Sequence, residues 1–252
     1  MKQTILSTEK LCKTFSNSGV QQHILKNLDL EIEAGAFTVI MGSSGAGKST
    51  LLYALSGMDK PTLGKIYCAG QEISGYSNDA LAVFRRQHCG FVFQQIYLLD
   101  NMSVFDNILA AGYLLSGDRK AILKRCRLLF EEVGLPETLL SKFPSQISGG
   151  EAQRVGIVRA LINDPDIVFA DEPTGALNSG TSTAVLDVLT QVNNRGQSIV
   201  MVTHDLKSAL RGSQILYLRD GVVCGTCHLG TYTKEDTSRH ERLNAFLAEM
   251  GW

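Results

Sequence analysis

Residues 42–50, Gly-Ser-Ser-Gly-Ala-Gly-Lys-Ser-Thr, constrain this chain more than any other stretch. They fit the pattern G-x-x-x-x-G-K-[ST], with Gly42, Gly47, Lys48 and Ser49 at the defining positions. Glycine lets a backbone wrap closely round a polyphosphate, so the N–H groups from Gly42 through Ser43, Ser44, Gly45, Ala46 and Gly47 to Thr50 can turn inward. A helix beginning at about Lys48 adds the positive end of its dipole. Lys48 reaches the β- and γ-phosphates, and Ser49 can ligate magnesium. The context agrees. Ala36-Phe37-Thr38-Val39-Ile40-Met41 is a short apolar run that reads as a buried strand, and residues 49–55 are helical in character. A plain Gly/Ser-rich turn would not sit between a strand and a helix in this way. The loop by itself says nucleotide and no more, because several enzyme classes share it.

The totals set limits. At 252 residues and 44% hydrophobic content, the chain supports one large domain, or a domain with a subdomain, around an ample core. A net charge of −1 gives no global basic field for nucleic acid. No apolar run approaches the roughly 18 residues that span a bilayer, and no signal peptide opens the sequence. A cytosolic or peripheral protein is expected. The six cysteines, at 12, 68, 89, 126, 224 and 227, read as reduced thiols. Cys224-Gly225-Thr226-Cys227-His228 matches a haem-attachment string, and a lone C-x-x-C could also bind metal or cycle as a disulfide. Haem attachment requires export, so the string is read as coincidence in a strand-turn segment.

Along the chain, residues 1–35 alternate apolar and polar. Leu28, Leu30 and Ile32 have period two, which predicts half-buried, antiparallel strand with a turn at Asn17-Ser18-Gly19. Strands are expected at 65–68 and 90–95, the latter ending in glutamines, and Asn78 or Asp79 is placed to cap a helix running to about His88. From about 96 the texture turns helical. Ser103 with Asp106 resembles a capping box. Ile122, Cys126, Leu129, Phe130 and Val133 share one helical face, which Gly134 and Pro136 end. A further helix is expected over 151–163. Strands at 167–170 and 198–202 flank a helix marked by Val185, Val188, Leu189 and Val192, so a parallel sheet wrapped by helices is predicted. Asp220-Gly221 signals a hairpin, and Leu243, Phe246, Leu247 and Met250 a short amphipathic helix.

Several strand ends carry chemistry. Ile167-Val168-Phe169-Ala170-Asp171-Glu172 delivers two carboxylates at the end of an apolar strand. Asp171 can hold magnesium through water, and Glu172 can polarise an attacking water as general base. Gln94 offers a neutral amide oxygen to the same cation. His204, at the end of another strand, can bond a γ-phosphate or orient water. Each has a plainer reading as a strand-end polar residue, which the neighbouring phosphate loop makes the weaker one. Ser148-Gly149-Gly150 opens the helix expected from Glu151 and makes a second anion site at a helix start. One ATP does not need both sites from one subunit, so the economical arrangement is a head-to-tail pair, each completing the other's site.

Taken together, these residues resemble the ATPase subunit of an ABC transporter. The resemblance runs over residues 1–228 through five motifs in order: the phosphate loop, a glutamine loop at Gln94, a signature at Ser148, Gly149 and Gly150, the strand ending in Asp171 and Glu172, and a switch histidine at His204. It implies the α/β fold of a P-loop NTPase: a parallel-sheet core, an N-terminal antiparallel β layer, an α-helical subdomain at about 96–160, and a tail at 229–252. It implies ATP and Mg2+ as cofactors, with Ser49, Gln94 and Asp171 on the metal, Phe15 stacked on adenine, and Glu172, His204 and Lys48 as the catalytic groups. It implies a homodimer closed through two ATP sites and a separate integral membrane permease, which places the chain peripherally at the cytoplasmic face of the cell membrane, with no nucleic-acid partner. Asp171-Glu172-Pro173-Thr174-Gly175-Ala176-Leu177 and Gly90-Phe91-Val92-Phe93-Gln94 are similar to the group of macrolide exporters, lipoprotein-release complexes and the cell-division ATPase. Ser56-Gly57-Met58-Asp59, Phe84-Arg85-Arg86-Gln87-His88 and the tail bring the bacitracin-type antimicrobial-peptide resistance ATPases nearest. One departure stands out: Asn178 occupies a position where the family usually carries Asp, in the loop linking the two sites. The expected role is an ATP-driven motor for antimicrobial-peptide resistance or export. The rival readings are a regulatory or force-transmitting subunit of the lipoprotein-release or cell-division type, and a nucleic-acid-associated ATPase of the same superfamily.

Overall fold

A computed structural model describes residues 3–17 and 19–252. In chain order it contains β1 (Thr4–Asn17), β2 (Val20–Glu33), β3 (Phe37–Met41), α1 (Lys48–Leu55), β4 (Leu63–Cys68), β5 (Gln71–Glu72), α2 (Asn78–His88), β6 (Cys89–Phe93), α3 (Val104–Gly112), α4 (Arg119–Glu132), two 3-10 turns (Glu137–Ser141 and Pro144–Gln146) and α5 (Gly149–Leu161). Then follow β7 (Ile167–Asp171), α6 (Ser179–Asn194), β8 (Ser198–Val202), α7 (Leu206–Ala209), β9 (Gln214–Arg219), β10 (Val222–His228) and α8 (Ser238–Glu249). The turn expected at Asn17-Ser18-Gly19 includes Ser18, which lies outside the described residues.

The strands form two sheets. One is a four-stranded antiparallel sheet in the order β2-β1-β4-β5; the other has six strands in the order β10-β9-β3-β8-β7-β6. In the latter β9, β3, β8, β7 and β6 run parallel, and β10 closes one edge antiparallel to β9. Asp220 and Gly221, at φ 51° and 79°, make that hairpin turn, as their sequence promised.

The central strands β3 and β8 are buried at every position because both faces of the larger sheet are covered. Alternate side chains face opposite sides. Phe37, Val39, Met41, Val168, Ala170 and Met201 pack with α3 to α6 and with Leu243 and Leu247 of α8. Ile40, Ile167, Phe169, Val200 and Val202 pack with α1, α2 and the smaller sheet, which contributes Leu28, Leu30 and Ile32 from alternate positions of β2. The α4 face of Ile122, Cys126, Leu129 and Phe130 is buried as its spacing requires.

Local chemistry moved some boundaries. The cap of α2 is Ser77, whose hydroxyl accepts the Ala80 N–H at 3.1 Å, so Asn78 and Asp79 are helical rather than capping. The glutamines after β6 lie beyond its last ladder residue, Phe93. α5 begins at Gly149, two positions earlier than expected, because Ser148 caps it. Ser103 accepts the Asp106 N–H at 3.0 Å and donates to its carboxylate, as its spacing with Asp106 indicated.

Candidate nucleotide site

The parallel order β3-β8-β7-β6 brings three strand ends side by side: the phosphate loop after β3, Thr203 and His204 after β8, and Asp171 and Glu172 at the end of β7. Ligands of open parallel sheets gather at the carboxyl ends of strands for this reason. The loop is fixed by close approach. A Cβ on Gly42 would strike the Leu218 carbonyl of β9, and Gly45 and Gly47 hold φ values of 80° and 100° that favour glycine. Gly47 is also the cap of α1, and no side chain bonds the exposed helix amides there. Those donors remain available to an anion.

Lys48 is buried and folds back on the loop, its Nζ donating to the carbonyls of Gly42 and Ser43 at 2.8 Å each. Desolvation holds its pKa below the ordinary lysine value, opposed by the negative fields of Glu172 and Asp171. Ser49 Oγ donates to Asp171 Oδ1 at 3.1 Å, joining the loop to β7. The other carboxylate oxygen accepts from Tyr53 at 2.7 Å. Burial, and then Asp171 beside it, raise the Tyr53 pKa to about 12, so its hydroxyl remains a donor at any working pH. Tyr53 was not singled out by any motif. It lies one helical turn past Ser49, at i+4, and that shared face was the available signal.

Glu172 takes a positive φ of 44°, rare for a side chain with a Cβ, while its N–H bonds the Val202 carbonyl at 3.0 Å. The bend turns its carboxylate to His204 Nδ1 at 2.8 Å, with the Glu172 side chain 21% and the His204 side chain 62% exposed. A cleft of about 800 Å³ opens here, lined by Gln22, Ile24, Ser44, Gly45, Gly47, Lys48, Ser49, Thr50, Glu172, His204 and Trp252. Phe15 stands in β1 paired to Gln22 of that wall; its ring is 45% exposed and Lys13 Nζ sits 4.8 Å above it. Gln94 is exposed and lies against Gly175, where a Cβ would come within 2.8 Å of its amide nitrogen.

Ser148, Gly149 and Gly150 are absent from the cleft lining. Ser148 is locked in a capping box: its N–H and hydroxyl both donate to Glu151 Oε2 at 2.7 Å, and its oxygen accepts the Glu151 N–H. These bonds hold the Glu151 carboxyl below its ordinary pKa. Gly149 and Gly150 pack on Leu177 and Thr181, at the start of α6. Asn178 caps that helix, accepting the Thr181 N–H at 3.0 Å. Asn keeps the hydrogen bond an Asp would make and removes its charge.

The family model for ABC transporters matches residues 25–175. The chain belongs to the ABC transporter ATP-binding family. An uncharacterised ABC transporter ATP-binding protein of Methanocaldococcus jannaschii is 41% identical over 219 residues, covering 87% of this chain and 97% of that one. The bacitracin export ATP-binding protein BceA of Halalkalibacterium halodurans is 39% identical over 232 residues, 92% and 91% of the two chains. The macrolide export ATP-binding/permease protein MacB of Escherichia coli is also 39% identical, but the match spans only 37% of its length. Among solved structures, a dimeric post-hydrolysis state of the ATP-binding cassette MJ0796 bound to ADP and Pi has a TM-score of 0.82 and 35% identity, covering 90% of this chain and all of that one. The resemblance drawn from the five motifs holds, and with it the α/β P-loop NTPase fold and an ATP-binding ATPase of this family.

The C-x-x-C string lies on β10, where Cys224 and Cys227 are free thiols packed beside the core. Burial raises the Cys227 pKa, which favours the neutral thiol.

Proposed function

We propose that two copies of this chain close head to tail on two Mg-ATP and reopen on hydrolysis, driving a separate membrane permease. The carrying observation is that the signature helix start, Ser148 to Gly150, lies outside the cleft that holds Lys48, Glu172 and His204. A second subunit can supply it across the nucleotide. The dimeric form of the structural relative supports this arrangement. In this reading residues 1–228 are one ATPase domain with a helical subdomain at about 96–160, and 229–252 a tail.

The residues present suit magnesium. Ser49 Oγ and Asp171 Oδ1 are hard oxygen donors 3.1 Å apart, with Gln94 as a further amide ligand. Among the described residues no cluster of three His, Cys, Asp or Glu gathers. Magnesium takes few protein ligands and keeps phosphate and water as the rest. The cation would neutralise charge on the phosphates. Lys48 and the loop amides would hold the β- and γ-phosphates, and Phe15 the adenine. Glu172 would take a proton from the attacking water while His204 orients the carboxylate. The protein's contribution is positioning and electrostatic stabilisation.

The permease has a suitable dock. A groove of about 740 Å³ runs between core and helical region, with Met58, Val83, Phe91, Phe93, Tyr97 and Leu114 along it and Arg85, Arg86 and Arg159 at its polar positions. Tyr97 is 64% exposed. An amphipathic helix fits such a groove. Among the described residues no helix is long and apolar enough to cross a membrane, so the partner would place this chain at the cytoplasmic membrane face. Similarity to BceA favours antimicrobial-peptide resistance or export as the process served.

Glu172→Gln tests the mechanism. With ATP it should elute as a long-lived dimer in size-exclusion chromatography and hydrolyse ATP at least about a hundredfold more slowly than the parent, the low end for loss of a general base. Hydrolysis at the parent rate would remove Glu172 as the base. A monomer in saturating ATP would remove the paired-site arrangement.

A further inference from the structure

The nucleotide cleft has a wall that none of the five motifs contains. Trp252 lines it together with Gln22 and Ile24 of β2 and with Gly45, Lys48 and Thr50 of the loop and α1. The tail that carries it is firmly built in. α8 buries Leu243 and Leu247 in the core. Arg239, 1% exposed, donates to the carbonyls of Leu210, Gly212, Leu229, Gly230 and Thr231. Phe246 and Met250 crowd Gly225 of β10 so closely that a Cβ there would lie 2.7 Å from the Met250 sulfur.

The chain then turns back at Gly251, φ 76°, and the Trp252 N–H bonds the Leu247 carbonyl at 3.0 Å. Arg219 fixes the Met250 carbonyl at 2.9 Å. The indole meets Tyr217 edge-on, with centroids 6.1 Å apart and planes at 84°. It remains 46% exposed, a large aromatic surface held in place beside the phosphate loop. Phe15, the other aromatic of this site, has the Lys13 ammonium over one face of its ring, itself anchored on Asp59 and the Lys60 carbonyl, which leaves a single face for a base.

A nucleotide whose phosphates occupy residues 42–50 must lay its base somewhere in this cleft, and an exposed indole is the strongest stacking surface for a purine. We propose that Trp252 is a second base-binding residue beside Phe15, packing its indole against the adenine of the bound nucleotide and making the tail part of the nucleotide site. This rests on the reading of residues 42–50 as the phosphate cradle.

Trp252 is the single tryptophan of the chain, so tryptophan emission reports on the surroundings of this residue alone. The intact chain would be titrated with ATP, ADP and inorganic tripolyphosphate, following tryptophan emission, with labelled ATP on filters as the independent measure of binding. ATP and ADP should change the emission over the range in which labelled ATP binds, and tripolyphosphate should displace the label without that change. Trp252→Ala should weaken ATP and ADP about tenfold and leave tripolyphosphate unaffected, while Trp252→Phe keeps most of the affinity. An unaltered emission with ATP bound, or an unchanged ATP affinity in Trp252→Ala, overturns the proposal. So does an equal loss of ATP and tripolyphosphate in Trp252→Ala, which would mark a structural role. If the parent fails to bind labelled ATP, the phosphate-cradle reading falls and the proposal with it.

Discussion

Asp171 is held from two sides, by Ser49 at 3.1 Å and Tyr53 at 2.7 Å, and both donors come from the first turns of α1. A carboxylate fixed in this way is aimed before any cation arrives, and a removed donor leaves it free to rotate. Tyr53→Phe deletes one hydrogen bond to a charged acceptor, a loss of about 1.5–3 kcal/mol at most. The expected result is unchanged ATP affinity without magnesium, and a higher magnesium concentration for half-maximal ATPase rate. Magnesium titration of the two proteins checks it, and identical curves would make Tyr53 a packing residue only. This residue was invisible to motif reading because Asp171 and Tyr53 are 118 positions apart and only the β7–α1 contact brings them together. Lys48, Ser49, Glu172 and His204 were legible because each sits at a strand end or within a loop of fixed spacing.

At the scale of elements, α8 shows how a short amphipathic stretch becomes a fixed part of the molecule. Its apolar spacing predicted a helix, and Leu243 and Leu247 are buried accordingly. The spacing did not predict Arg239, a charged residue with almost no exposure, because nothing local says that five carbonyls will converge on it. Burial lowers its pKa, and the guanidinium stays charged. Removing it would orphan carbonyls at Leu210, Gly212, Leu229, Gly230 and Thr231 in the two segments that lead out of α7 and into α8. Arg239→Ala should therefore cost about 3–5 kcal/mol in urea unfolding. Arg239→Lys should recover little, because three donors on one nitrogen cannot serve this fork. A loss below about 0.5 kcal/mol, typical of a surface substitution, would mean that water takes over the carbonyls.

For the whole molecule, a large apolar groove lined by Val83 of α2 and by Phe91 and Phe93 of β6 stays open at the surface. Val83 is 41% exposed on its rim and far in sequence from the cleft residues. Val83→Glu should leave the unfolding free energy within about 0.5 kcal/mol of the parent and the ATPase rate of the isolated chain unchanged. In cells it should shift the protein from the membrane fraction to the soluble one. Retention at the membrane would take permease docking away from this groove.

Residue spacing alone determined the phosphate-loop pattern, most of the order of strands and helices and which polar residues stand at strand ends, because each is set by local geometry: period two, period 3.6, or a glycine where the backbone must turn close. It also determined the family, since five spaced motifs identify it together. Only the tertiary structure decided which distant groups meet. Strand order put Glu172 beside His204; helix packing put Tyr53 on Asp171; and the tail's anchorage on backbone carbonyls brought Trp252 into the nucleotide cleft. Those contacts join segments with no shared periodicity, so they follow from how apolar faces pack.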